Sequence, residues 1–409
     1  MPIVKEVKIM AKKTVFITGG TGNMGWAAVQ EMLKKPNEIN IKMLARKSPK
    51  NVEKLKDLSA KPNVKIVWGD LNDYDAILEG VTGADYVLHV GGMVSPTADW
   101  KPYRTQTTNI GAAQNICKAV LSQPNADEIK VCYIGTVAET GDRNYPIHWG
   151  RCGDPIKISI YDHYAISKTV AERTFVESGI KNWVVMRQSG ILYPNILKNM
   201  DPIMFHVPIN GVLEWCTVED SGRLMCNLVT EDAAGHLGSD FWNHFYNIGS
   251  GKEYRISNYE FECLLLGTLG LAGPEKLFDP NWFILKNFHG QFYADGDKLE
   301  EFLHFRENLP IQDYFNRLAD HVEFYFKIPR YLPKSLVAAC AKPLTGSLQE
   351  IRLEFLLTTA HMKTGLRFRR IGKTLKSSSS TKTAAMLKTI NLTMVMMRAS
   401  LNLSLTLKT

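Results

Sequence analysis

Between residue 14 and about residue 135 the chain alternates short apolar runs with longer amphipathic ones. Residues 15–18 lead into 24–34, 41–44 into 52–58, and 64–67 into 74–79; the runs 86–90, 108–121 and 130–134 continue the series. The short runs are apolar at almost every position, as strands covered on both faces must be, and the longer ones carry one apolar face, as helices do. This alternation predicts an α/β fold, a doubly wound parallel sheet of the Rossmann type. Right-handed crossovers then place the ligand crevice at the carboxyl ends of the strands.

After residue 200 the periodicity weakens. Strands are expected at 227–230 and 245–248 and a helix from near Glu231, followed by aromatic-rich helical pieces up to about residue 327. The domain reading is therefore a leader at 1–13 and a dinucleotide-binding domain at 14–200, with strands returning at about 227–250. A substrate-binding lobe at 201–330 and a poorly structured basic tail at 331–409 complete it. From about residue 371 the tail has no helical or strand register and includes the run Ser377-Ser378-Ser379-Ser380.

Composition changes this picture little. The 409 residues are 45% hydrophobic and 22% charged, the profile of a globular protein. The net charge of +8 suggests nucleic acid at first sight, but no acid follows Glu354 while ten Lys or Arg do. The body before that point is close to neutral, so no nucleic-acid partner is expected. The tail alone could dock on an anionic membrane or RNA, or be sequence under no selection, such as an out-of-frame extension. Seven cysteines without a Cys-x-x-Cys pair predict neither a disulfide framework nor a zinc site, and with no metal-ligand spacing elsewhere no metal is expected. Reduced thiols and the lack of an apolar run long enough for a signal or a membrane span predict a cytoplasmic protein.

The chemistry starts at Thr18-Gly19-Gly20-Thr21-Gly22-Asn23-Met24-Gly25, directly after the first strand. Glycines at 19, 22 and 25 let the chain reverse, let bare backbone approach a pyrophosphate, and let the following helix pack closely on its strand. Gly19, Thr21, Gly22, Asn23, Met24 and Gly25 are therefore candidate cofactor residues, with the helix offering unpaired N–H groups to the anion. A second signal is Tyr164-Ala165-Ile166-Ser167-Lys168. Among the fifteen tyrosines Tyr164 alone has a lysine four residues on, which sets a phenol and an ammonium on one helical face.

These landmarks and others in order resemble the extended short-chain dehydrogenase/reductase family, also called the NAD-dependent epimerase/dehydratase family. They include Gly69-Asp70-Leu71, the run from Leu88 to Pro96, Asn109, Thr136, the Tyr164/Lys168 pair, Arg187-Gln188-Ser189-Gly190 and Thr230-Glu231-Asp232-Ala233. One departure is Gly91-Gly92, where the family is usually alanine-rich, which would widen the floor beneath a nicotinamide. The resemblance implies a catalytic triad of Thr136, Tyr164 and Lys168. Lys168 would lower the pKa of the phenol and hold ribose hydroxyls, Tyr164 would act as acid and base, and Thr136 would bond the same substrate oxygen. It also implies Val90, Gly91, Gly92 and Asn109 beside the cofactor, and Asp70 and Leu71 flanking the adenine. At the end of the second strand such NAD enzymes usually carry an acid, whereas this chain has Arg46-Lys47-Ser48. NADP(H) is therefore expected in preference to NAD(H), with Arg46, helped by Lys47 or Ser48, on a 2′-phosphate.

Candidate substrate contacts are Val94, Ser95, Arg143, His148 and Arg187. The leading functional reading is an NADP-dependent oxidoreductase interconverting a carbonyl and a secondary alcohol on a small molecule. The alternative is a nucleotide-sugar epimerase or dehydratase with tightly bound NAD(P), and a third is a non-catalytic dinucleotide sensor. The resemblance further implies a homodimer formed through the helices at 108–121 and 162–176.

Overall fold

Strand β1 (Lys13–Thr18) shows how the sheet is built. Val15 and Ile17 turn to one apolar core and Phe16 to another, all three at 0% exposure, in the alternation that a strand imposes. This is seen in a computed structural model that describes residues 12–336, except 96, 144, 160–161, 199–204, 206, 286–288, 324–327 and 334. The readings of the leader before residue 12 and of the tail beyond residue 336 lie outside the described residues.

The same pattern repeats in β2 (Ile39–Ala45), β3 (Val64–Trp68), β4 (Tyr86–His89), β5 (Lys130–Thr136), β6 (Asn182–Gln188) and β7 (His244–Ile248). All seven strands are parallel, in the order β7-β6-β5-β4-β1-β2-β3. The winding direction reverses between β1 and β4, and a doubly wound sheet opens its crevice there.

On one face lie α1 (Asn23–Met32) and the helix Val218–Ala233, burying Ala28, Val29, Met32, Leu224 and Leu228. The other face is covered by α3 (Tyr74–Val81), α4 (Pro102–Leu121) and α5 (His163–Val176), which follow α2 (Pro49–Ser59) in the chain. They bury Ile77, Val81, Ile116, Val120 and Phe175. Gly80 is needed in α3 because an added Cβ there would lie 2.1 Å from the Phe16 ring. Burial of a side chain such as Phe16 stabilises the fold by about 1.5–3 kcal/mol.

The expected alternation up to residue 135 is present, with α4 beginning earlier than expected because Pro102 suits the first turn. Two expectations are corrected. The segment 227–230, read as a strand, lies inside α6 (Val218–Ala233), and Glu231, read as near the start of a helix, lies near the end of this one. Thr217 caps that helix by accepting a hydrogen bond from Asp220 N at 3.0 Å, and Glu219 and Asp220 suit its first turn. The β-branched look of Val229-Thr230 is overridden by packing against α1, where Gly222 sits so close to Ala27 that a Cβ would approach Ala27 Cβ to 2.8 Å.

A separate apolar core marks the smaller lobe. Phe205 is ringed edge to face by Phe278, Trp282 and Phe283, at centroid distances of 5.3, 5.5 and 5.2 Å. Around them pack α7 (Asn258–Thr268) and α8 (Ile311–Asp320). Short strand pairs tie this lobe to the loops after the sheet, among them Phe292–Tyr293 beside Trp149–Gly150.

Candidate active site

The glycine turn is shaped as its sequence requires. Gly19 has φ +73°, and a Cβ there would meet Gly91 Cα at 2.7 Å; a Cβ on Gly25 would meet Gly19 O at 2.3 Å. Gly22 N donates to Gly19 O at 2.9 Å, and no side chain caps the start of α1. Its first-turn N–H groups are thus left without a side-chain cap at the exposed Gly22 and Asn23, the kind of helix start that suits an anion. Thr21 is half-buried there, and Met24 turns into the core.

Gly91, half of the departure from the alanine-rich pattern, has a local reason. A Cβ on it would meet Gly19 N and Thr18 Oγ1 at 3.0 Å, and its own N–H donates to Thr18 Oγ1 at 3.1 Å. Gly91 lets the β4 loop pass directly over the phosphate turn. Val90 is half-buried and Gly92 exposed beside it. The remaining Thr18 partner is His89, at 2.7 Å to Nδ1. Burial, reinforced by the charge of Lys168, lowers His89 to about 3, so this imidazole is neutral.

Asn109 is a clamp between loops. Its Oδ1 accepts from Met93 N at 2.7 Å, and its Nδ2 donates to Met93 O at 3.1 Å and Ser167 Oγ at 2.9 Å. It thereby fixes the β4 loop to α5 and shapes the cleft. Asp70 is half-buried, Oδ1 accepting from Asn72 N at 3.1 Å, with Leu71 half-buried next to it. Arg46 and Lys47 stand exposed at the end of β2, while Ser48 caps α2 through Asn51 N.

The three residues expected to act together, Thr136, Tyr164 and Lys168, lie on β5 and α5. Asp162 caps α5, accepting from Ala165 N at 2.8 Å. One face of the helix then presents Tyr164, Lys168 and Glu172, four residues apart each time. Lys168 is 6% exposed; its ammonium donates to Ile134 O and lies 4.3 Å from the centre of the Tyr133 ring. Tyr133 in turn donates from its phenol to Lys168 O at 3.1 Å. These reciprocal bonds lock the lysine to β5 two residues before Thr136. Burial lowers the Lys168 pKa, and Glu139 and Glu172 act against that shift. Thr136 ends β5 at 5% exposure and accepts from Ala138 N at 3.2 Å, its own proton remaining to donate.

The substrate side departs from expectation. Arg187, expected at the substrate, is 3% exposed and grips Glu172, Nη2 to Oε1 at 2.7 Å and Nε to Oε2 at 3.0 Å, because a guanidinium buried under the sheet ends requires a paired carboxylate. Arg143 bonds Asp154 at 3.2 Å and Gln291 at 3.4 Å, and His148 Nδ1 donates to Arg143 O at 3.0 Å, so both hold their own loop. Val94 is exposed and Ser95 half-buried at the cleft mouth. Among the described residues no three His, Cys, Asp or Glu are grouped as metal ligands would be, and no helix is long and apolar enough to cross a membrane.

Residues 15–187 match the model of the NAD dependent epimerase/dehydratase family. Over these residues the chain is similar to that family. Its relatives include UDP-glucose 4-epimerases of Rickettsia akari (strain Hartford) and Rickettsia felis, each 31% identical over 139 residues that make up 33% of this chain. The matched stretch spans 39% of the length of those relatives. The fold of the chain is also that of a dTDP-glucose 4,6-dehydratase from Streptomyces venezuelae solved with NAD (TM-score 0.58, 18% identity, 76% of this chain and 96% of that one). A UDP-glucuronic acid 4-epimerase from Bacillus cereus, solved with UDP-glucuronic acid and NAD, is similar to the same degree (TM-score 0.58, 16% identity, 75% and 98%).

Sequence reading overlooked Glu139 and Glu172. Both had a signal: Glu172 continues the four-residue spacing of Tyr164 and Lys168, and Thr136-Val137-Ala138-Glu139 is a capping-box pattern. His89 and Ser167 had none, since their partners lie far away in the chain.

Proposed function

We propose that this chain is a dinucleotide-dependent enzyme acting on a nucleotide sugar by an epimerase or dehydratase reaction, with Thr136, Tyr164 and Lys168 as its catalytic residues. The observation that carries this reading is Lys168, a lysine drawn out of water and bonded to the β5 backbone one helical turn from a tyrosine. Removing an ammonium from water is costly, and here it brings a positive charge next to a phenol. A bound dinucleotide supplies hydride transfer. The chain's own residues handle the proton. The charge of Lys168 favours the phenolate of Tyr164, which takes the proton of a substrate hydroxyl and gives it back, while Thr136 donates to the same oxygen.

The names of the relatives support the nucleotide-sugar class over the expected free reduction of a small carbonyl compound. The test offers UDP-glucose, UDP-glucuronic acid and dTDP-glucose with NAD, following the sugar by NMR and the nicotinamide by absorbance. A changed sugar with no net cofactor reduction is expected. Tyr164→Phe should lower turnover about 10²–10⁴-fold without moving the melting temperature; unchanged turnover would remove the acid/base role.

A second reading, net NADP-dependent oxidoreduction, is favoured by one observation: two exposed cations and no carboxylate at the end of β2. The same assays run with NADPH and NADH address it, and equal or better NADH binding counts against a 2′-phosphate contact at Arg46. A homodimer through α4 and α5 is part of the proposal, supported by the apolar Leu121 and Val170 exposed on those helices.

A further inference from the structure

Two buried acids meet behind Thr136. Glu139 and Glu172 are 0% and 2% exposed, and a Cβ on Gly135 would lie 3.3 Å from Glu139 Oε1 and 3.3 Å from Glu172 Oε2. Both carboxyls therefore close over the penultimate residue of β5. Arg187 makes two hydrogen bonds to Glu172 but only approaches Glu139, its Nε standing 3.5 Å from Oε2. That Oε2 has no hydrogen-bond partner among the described residues, whereas Glu139 Oε1 accepts from Thr136 N at 3.2 Å. One guanidinium thus satisfies one carboxylate and leaves a second at the same depth without water. A proton on the second turns a repulsive oxygen pair into a hydrogen bond.

We propose that Glu139 is a positioning residue that works as a neutral acid: it carries the single proton of the Glu139–Glu172 pair and pins the Thr136 N–H, keeping the Thr136 hydroxyl on the reacting oxygen. This rests on the reading of Thr136 as a reacting group. The titratable and charged groups facing the pair are Tyr133 on β5, Lys168 and Tyr164 on α5, Arg187 on β6, and Cys152 from the preceding loop; His89 on β4 acts through Lys168. Burial and Glu172 push Glu139 well above the usual carboxylate range, and Arg187 and Lys168 oppose this without cancelling it. Glu262, in α7, is also raised by burial, to about 8, so any test must single out Glu139.

The experiment is an infrared difference spectrum of the full chain, wild type minus Glu139→Gln, at neutral pH. A lost carbonyl stretch of a protonated carboxyl is expected; its absence overturns the neutral acid. On a converted sugar, Glu139→Ala should lose about 100-fold in kcat with KM little changed, as a misplaced group does. Glu139→Gln, able to accept from Thr136 N, should recover that loss with the wild-type pH profile. A Gln variant whose pH profile shifts shows instead that an ion beside Lys168 has been removed, and an Ala variant with full kcat ends the positioning role. Should Glu139→Ala fail to fold, Glu139→Asp, too short to reach the N–H, replaces it. The spectrum needs no substrate, so inactivity on every sugar would sink the proposed function while the proton on Glu139 is still decided.

Discussion

Two buried acid clusters sit at opposite ends of the strands and use the same residue types to different ends. At the amino ends, Asp232 on α6 accepts from Trp242 Nε1 at 3.1 Å and also from Tyr86 OH and Lys130 Nζ, which start β4 and β5. At the carboxyl ends, Glu139 and Glu172 share Arg187, with Lys168 and Tyr133 alongside. The first cluster has one acid and three donors, and Lys130 stays partly in water, with 28% of its side chain exposed. It is a closed stitch between α6 and the sheet. The second has more acid than its guanidinium can satisfy and a lysine only 6% exposed. The lesson is that a satisfied cluster fastens the fold, whereas an unbalanced one stores a protonation state next to the chemistry.

Three changes test this contrast. The largest effect is expected for Arg187→Met, which strands two buried acids and should cost about 3–5 kcal/mol in urea unfolding. A loss below about 1 kcal/mol would mean that both acids are already neutral and the cluster holds no ion pair.

His89→Asn is expected to be intermediate and to depend on pH. The folded imidazole is held near 3 by burial and Lys168, while the unfolded one titrates at about 6.5. Its contribution is therefore fully present above about pH 6.5 and is lost as pH falls from there towards 3. Between pH 7 and 5 the wild type should lose about 2 kcal/mol that the Asn variant does not. Parallel pH curves for the two proteins would show that His89 keeps its ordinary pKa in the fold.

Asp232→Asn should matter least. The amide oxygen keeps an acceptor for Trp242, its NH2 can donate to a Tyr86 hydroxyl that turns round, and what is given up is the charge facing a partly exposed lysine, a cost of about 1 kcal/mol. Dinucleotide affinity should not move. A weakened affinity would show that the stitch reaches the cofactor crevice.

The sheet and the phosphate turn were legible because their causes are local: apolar runs, a three-residue glycine spacing, and a tyrosine and lysine on one helical face. The misread segment 227–230 was decided elsewhere, by Thr217 at the cap and by Ala27 across the interface. Arg187 looked available because its partner Glu172 lies 15 residues earlier on a different element. The bonds of Asn109 to Met93 and Ser167 could not be seen from its sequence position. In each case the deciding group was distant in the chain and close in space.

The contact of Gly222 with Ala27 also bears on synthesis. Helix α1, whose free end is shaped for the phosphates, has its outer side covered by α6, and the sheet edge is completed by β7. A growing chain that has emerged only as far as Arg187 already contains the glycine turn and the triad, yet it leaves that side of α1 bare. Until residues 218–248 emerge, the apolar Ala28, Val29 and Met32 on that side of α1 have no cover, and a nascent chain carries its first helix half exposed.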